Sequence, residues 1–181
     1  MKRTIAILFL VLLSFASSVM AQGETDELQA TYEDNQGAIE DILQVDATGL
    51  TEEEVIVLQK QKLIAERESI AAAFNNNPPQ LPDALNSLFA NERISLYFEG
   101  DYILGVAMED GIISEIVEGE ISDPSLNVYV SDNVFKAMNA QTFTLEAAIA
   151  NGDIKYSGVG FGNKIKFGIL SMLYNIATWF T

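Results

Sequence analysis

Cysteine and histidine are both missing from the 181 residues, and only 4 prolines occur. Without Cys no disulfide can form and no lipobox thiol can carry a lipid, so stability rests on packing. Without either residue the nitrogen and sulfur ligand sets of structural zinc are excluded, and carboxylates alone would have to serve. The Ser–His and Cys–His nucleophile pairs are excluded by the same absence. No Gly-x-Ser-x-Gly elbow, Walker loop or GxGxxG is present either. Glu115, Glu118 and Glu120 lie close together but alternate as on the solvated face of a strand. The surroundings of Gly37 and Gly49 lack the acidic offsets of a calcium loop. The expectation is a protein that is not an enzyme, with no cofactor and no metal. Basic residues are scarce as well: Lys and Arg total 10 against 26 Asp and Glu, for a net charge of −16. Such a surface repels phosphate backbones, so nucleic acid is not an expected partner.

Long apolar runs are few, and the first is at the start. Lys2 and Arg3 precede the unbroken apolar stretch Ile5–Leu13; Ser14, Ala16, Ser17 and Ser18 follow, then Val19-Met20-Ala21. A basic start, an apolar middle and small residues before Gln22 form the three-part layout of a secretory signal peptide. The alternative, an uncleaved membrane anchor, is disfavoured because the run is about half of the roughly 20 residues that span a bilayer. Cleavage between Ala21 and Gln22 is expected, with a secreted, periplasmic or otherwise extracytoplasmic protein as the product. Loss of Lys2 and Arg3 takes the net charge from −16 to −18. The rest of the chain suits one core-bearing domain plus an extension.

From Glu24 to Phe74 the spacing predicts two helices. Leu28, Tyr32, Ile39, Ile42 and Leu43 form the first stripe. Asp46-Ala47-Thr48-Gly49 interrupts it, and Thr51 with Glu54 three residues later makes a capping box for the second. Ile56, Leu63 and Ile70 fall in one seven-residue column and Val57, Ile64 and Ala71 in another, a seam for a partner helix. Residues 22–76 are therefore expected to be a helical hairpin extension, ended by an Asn/Pro linker at 77–82. After it the period becomes two. Runs over Ile94–Phe98, Tyr102–Met108, Ile112–Val117 and Leu126–Val130, separated by Gly/Asp turns, predict an antiparallel meander with one buried face. Ser131 and Thr144 are positioned to cap two short helices, Gly152 stops the second, and Ile154-Lys155-Tyr156 gives a fifth strand. A turn with Gly158, Gly160 and Gly162 leads to a last helix.

From Asp123 to Phe167 the order of parts is a strand, Ser131-Asp132, a helix bearing Phe135, a helix ending in Asn151-Gly152, the strand Asp153–Gly158, a glycine turn and an apolar helix. With the hairpins upstream, this order resembles the sterol carrier protein 2 family over residues 83–181; Asn139-Ala140 stands where the family often has glycine. The resemblance implies an α+β fold: a five-stranded, mainly antiparallel sheet covered by helices, here preceded by the helical hairpin. It also implies an apolar tunnel for an acyl chain, sterol or isoprenoid. The residues expected to line it are Phe98, Tyr102, Leu104, Val106, Phe135, Met138, Phe143, Ile154, Phe161, Ile165, Ile169, Met172 and Leu173. Burying a sixteen-carbon chain contributes about 0.8 kcal/mol per methylene, on the order of 12 kcal/mol before ordering costs. Affinity therefore requires no charged anchor.

The last helix, Ile165 to Phe180, has an apolar face widened by Phe167, Leu170, Tyr174 and Trp179. It reads as a core helix or as a lid over the tunnel with transient membrane contact. The leading functional reading is an exported lipid carrier for a hydrophobic small molecule. The alternative is an extracytoplasmic interaction module of the same fold with a filled core, docking or self-associating through residues 24–74.

Overall fold

The computed structural model describes residues 42, 44–76, 91–140, 142, 143 and 145–159. The leader, the first helical stripe apart from its end, the Asn/Pro linker, Thr144 and the last helix lie outside the described residues. Helices α1 (Glu52–Ala65) and α2 (Arg67–Asn76) come first. Strands β1 (Arg93–Phe98), β2 (Tyr102–Glu109), β3 (Ile112–Glu118) and β4 (Leu126–Val130) follow. Then come α3 (Asp132–Asn139), α4 (Leu145–Ala150) and β5 (Ile154–Gly158).

The sheet is five-stranded in the order β3-β2-β1-β4-β5. The two hairpins β1–β2 and β2–β3 and the β4–β5 pair are antiparallel, and β1 runs parallel to β4. The meander thus holds for β1 to β3 only. β4 does not continue it beside β3 but crosses to the far side of β1. The crossing is made possible by Gly105. A Cβ there would lie 2.6 Å from the backbone nitrogen of Ile121 and 3.0 Å from the carbonyl oxygen of Gly119, closer than real side chains come. The β3–β4 connection therefore lies flat on the sheet at a glycine. The Ile121 N–H donates to Ser95 Oγ at 3.3 Å, and Arg93 holds the same connection through Ser122, its Nε donating to the carbonyl at 2.6 Å. Ile121 itself is buried.

Strand register sorts the side chains onto two faces. Ile94, Leu96 and Phe98 of β1 share a face with Tyr102, Leu104 and Val106 of β2, with Leu126, Val128 and Val130 of β4, and with Ile154 and Tyr156 of β5. This is the buried face the alternation predicts. The opposite face is largely open beyond the β3–β4 connection, and there Tyr97 and Tyr129 stack with centroids 4.9 Å apart. Burial, then a hydrogen bond with Glu120, raises the Tyr97 phenol above its ordinary 10.0.

The single helix expected from Thr51 to Phe74 is broken at Glu66 into α1 and α2, and both pieces pack into the core of the sheet. Ile56, Leu63, Ile64, Ile70, Ala71 and Phe74 belong to the same buried cluster as the sheet residues, Val134, Phe135 and Met138. Among the described residues the seven-residue columns bury their seam against the sheet and α3, while the expected partner helix lies outside the described residues apart from Ile42, which packs against the same cluster. Val57 of the second column is accordingly exposed. The capping box forms as the sequence indicates, with Glu54 N–H donating to Thr51 Oγ1 at 3.3 Å and Thr51 N–H to Glu54 Oε2 at 2.8 Å. The Thr51 N–H foremost, and then the Thr51 hydroxyl, which donates to the same oxygen at 2.9 Å, hold the Glu54 carboxyl below its ordinary range.

Ser131 occupies the N-cap of α3 without capping it; its hydroxyl donates to Asp153 Oδ1 at 2.9 Å. The free first-turn N–H of Asp132 is instead taken by Glu99 Oε2 at 2.7 Å. Gly152 does end α4, at φ 75°, with its N–H on the carbonyl of Ile149.

Two neighbouring polar residues of α1 are buried under these elements. Gln59 donates to Asn139 Oδ1 at 2.8 Å, and Asn139 returns a bond to Gln59 Oε1. Lys60 Nζ meets Asp132 Oδ1 at 2.8 Å and the carbonyl of Glu99 at 2.7 Å, and lies 5.2 Å from the centroid of the Tyr102 ring. The Lys60 side chain is 2% exposed, that of Asp132 33%. A buried charge left alone costs more than a half-exposed one, so the two deletions are unequal. Asp132→Ala is expected to lose about 3 kcal/mol of stability and Lys60→Met about 1 kcal/mol in urea unfolding. The reverse order would show that the pair is not the buried constraint. For Tyr97 the sign is fixed by its raised value. Its contribution to stability is full below pH 10.0 and is lost as pH rises through the folded value. Ultraviolet titration should show one late-ionising phenol that Tyr97→Phe removes.

Candidate ligand-binding site

The structure brings eight of the thirteen expected tunnel residues into one layer between the sheet and its helices. Leu104, Val106 and Phe135 are fully buried, and Phe98, Met138 and Ile154 nearly so. Phe98 and Phe135 meet edge to face with centroids 6.0 Å apart, joining β1 to α3. Tyr102 and Phe143 are partly buried and pack against the cluster from its margin. Phe161, Ile165, Ile169, Met172 and Leu173 lie outside the described residues. The six innermost of these side chains are almost without solvent exposure. Among the described residues Tyr102 and Phe143 mark the partly exposed rim of the layer.

At one point of the rim the layer meets a groove. It has a volume of about 510 Å³ and lies where the α1–α2 junction overhangs the β1–β2 turn and the end of β3. Gln61, Ile64, Ala65 and Arg67 form one wall; Asp101, Tyr102, Ile103, Glu118 and Gly119 form the other. Ile64 and Tyr102 belong both to this lining and to the apolar cluster or its margin. The helix break at Glu66 shapes the groove. The Glu66 N–H still bonds to the carbonyl of Lys62, but its backbone leaves the helical region, and α2 restarts at Arg67.

The polar groups are unevenly satisfied. Gln61 Nε2 donates to the Tyr102 hydroxyl at 3.4 Å, a long bond. Arg67 Nη1 donates to the carbonyl of Ile64 at 2.8 Å. Its Nε is buried and has no hydrogen-bond partner among the described residues. Arg67 is the one cation of a lining that also holds two carboxylates, Asp101 and Glu118, both exposed. Of the groove residues only Tyr102 is among those expected from the sequence. Ile64 had a signal, its place in a seven-residue column. Arg67 had none, because a charged residue in a helical stretch reads as solvated. Among the described residues no group of three acidic side chains is placed to hold a metal ion, and no helix is long and apolar enough to cross a membrane.

No family model and no curated protein matches the chain. Among solved structures it is similar to Sterol Carrier Protein 2 Like 2 from Aedes aegypti, at 18% identity over 64% of this chain and 97% of that one, with a TM-score of 0.42. It is also similar to the UbiJ-SCP2 ubiquinone synthesis protein, at 17% identity over 66% of this chain and 94% of that one, TM-score 0.38. The inverting sec-alkylsulfatase Pisa1 from Pseudomonas sp. aligns over 29% of its own length and 90% of this chain, at 13% identity and TM-score 0.33. Sterol carrier protein 2 structures, the family that the order of parts resembles, thus stand among the similar folds.

Proposed function

We propose that this protein is an exported, non-enzymatic lipid carrier that takes a fatty acyl, sterol or isoprenoid chain between its sheet and helices. The observation that carries the reading is the groove at the rim of the apolar layer, where Ile64 and Tyr102 connect surface to core. Its volume of about 510 Å³ lies within the 300–1,000 Å³ usual for small-molecule sites. A chain entering there replaces water with the side chains shared by groove and cluster, Ile64 and Tyr102. Transient membrane contact through the apolar C-terminal segment supplies the exchange step.

A second reading is favoured by a different observation. Leu96, Leu104, Val106, Val128 and Phe135 are all 0% exposed, as in a core that holds nothing but itself. On that reading the protein is an extracytoplasmic interaction module, and Leu50, Val57 and Leu58, each more than a third exposed around α1, are its contact surface. Mass spectrometry of an organic extract of the purified protein separates the two. Stoichiometric lipid is expected for a carrier. A lipid-free extract that stays lipid-free after incubation with fatty acid, sterol and isoprenoid sinks the carrier reading and favours the module.

Export rests on the leader, and intact mass of protein recovered outside the cytoplasm tests it. A chain beginning at Gln22 is expected. Protein held in the membrane with residues 1–21 attached would refute cleavage.

A further inference from the structure

We infer that the sheet face turned away from the helices pairs with the same face of a second copy of this chain, about a twofold axis running along the strands between Tyr97 and Tyr129. The inference is independent of the carrier reading, which concerns the layer between sheet and helices.

The face is built around an exposed aromatic pair. Register sets Ile103, Tyr97, Tyr129 and Lys155 side by side across β2, β1, β4 and β5. Tyr97 and Tyr129 stack at the centre of that row, and Tyr129 is 45% exposed. Tyrosine is enriched at protein interfaces, where its ring buries area and its hydroxyl finds a partner.

Charge is distributed so that the row complements its own reverse. At one end Glu120 accepts a hydrogen bond from the Tyr97 hydroxyl, and at the other stands Lys155. Both are exposed, and neither has an ion-pair partner among the described residues. A twofold axis along the strands reverses the row. Each Glu120 then faces Lys155 of the second copy, and each Tyr97 faces its Tyr129. An axis across the strands would instead set Glu120 on Glu120 and Lys155 on Lys155, which like charges oppose.

Relief follows the same symmetry. The β3–β4 connection lies over Gly105 and covers the β2 side of the face, a ridge that carries Glu120. The β4–β5 side has no such cover, and Tyr129, Lys155 and Ser157 are exposed there. The axis that pairs the charges also seats the ridge of each copy on the bare half of the other. A twofold contact requires a surface that fits itself, and a ridge beside a step does so. The net charge of −16 opposes approach at long range. At about 0.15 M ionic strength that repulsion is screened beyond about 8 Å, and contact pairs decide.

The test is sedimentation equilibrium of the purified protein in about 0.15 M salt. Loading concentrations run from about 1 μM to about 500 μM, the span of a weak interface. Dimer should replace monomer across that range. Lys155→Glu alone and Glu120→Lys alone each set like charges together in both halves of the contact, and each should weaken the dimer by about tenfold or more. Combining the two changes exchanges the signs and should restore it. Leu58→Glu, on the exposed surface of α1, should leave it unchanged.

A protein that stays monomeric throughout overturns the inference before any variant is made. A dimer indifferent to both single changes, or abolished by Leu58→Glu, places self-association on another surface and overturns it as well. Loss in both single variants with no recovery in the combined one would show that the two charges do not meet, and the inference would fall with the axis.

Discussion

The buried ammonium of Lys60 is the constraint around which the helical layer is arranged. Taking an ammonium out of water carries a penalty that only close, well-directed acceptors offset. Here they are Asp132 and the carbonyl of Glu99, with the Tyr102 ring on another side. Each acceptor belongs to a different element: the first turn of α3, the β1–β2 turn and the start of β2. A hydrophobic residue in place of Lys60 would tolerate sliding between these parts. An ion pair does not, because displacement by an ångström or two strands the charge. The neighbouring Gln59–Asn139 amide pair applies the same discipline to the other end of α3. What this arrangement supplies is position more than net stability, and the groove benefits. Gln61, Ile64 and Ala65 follow directly on α1, opposite the turn that Lys60 holds.

The sheet is constrained by devices of another kind. Gly105 supplies an absence, the missing Cβ that lets the β3–β4 connection lie on the sheet and bury Ile121. Asn75 supplies an addition. Its side-chain amide exchanges two bonds of 2.8 Å with the backbone of Ile113, satisfying an edge-strand position from α2 beside the bulge in β3. Edge strands left open invite pairing with other chains, and this side chain occupies that position as a strand would. Both devices join the N-terminal helices and the crossing connection to the sheet, so the described residues share one core.

Alternation of apolar residues made the five strands and their buried face legible, because a period of two leaves one arrangement of Ile94, Leu96 and Phe98 that hides all three. The capping box at Thr51 and the stop at Gly152 were equally local and equally legible. The strand order was not. Nothing in the periodicity of Leu126–Val130 says which neighbour it pairs with; that depends on where a connection can cross, hence on Gly105. The helices at 52–76 misled for a related reason. A seven-residue column reports that one face is buried but not whether a helix or a sheet buries it. The residues of the apolar layer were legible because bulky apolar side chains announce burial, which says that they are covered and not that they line a tunnel. Arg67, Asp101 and Glu118 were missed because charged residues announce solvent, and only three-dimensional placement shows a donor among them without a partner.

The sealed centre and the open rim together limit how a ligand can be held. An interior packed at crystal-like density resists insertion, since every atom added must move others out of their contacts. The residues with freedom to yield are those at its margin, Tyr102, Phe143 and Tyr156, already partly exposed. On the carrier reading, an apolar chain seated there gains only what the margin gives up. The gross transfer energy of a long chain, on the order of 12 kcal/mol, is then reduced by the contacts that the margin loses in opening. On the carrier reading, chain burial at the margin therefore sets how tightly a lipid is held, and the packed interior sets how far it can enter.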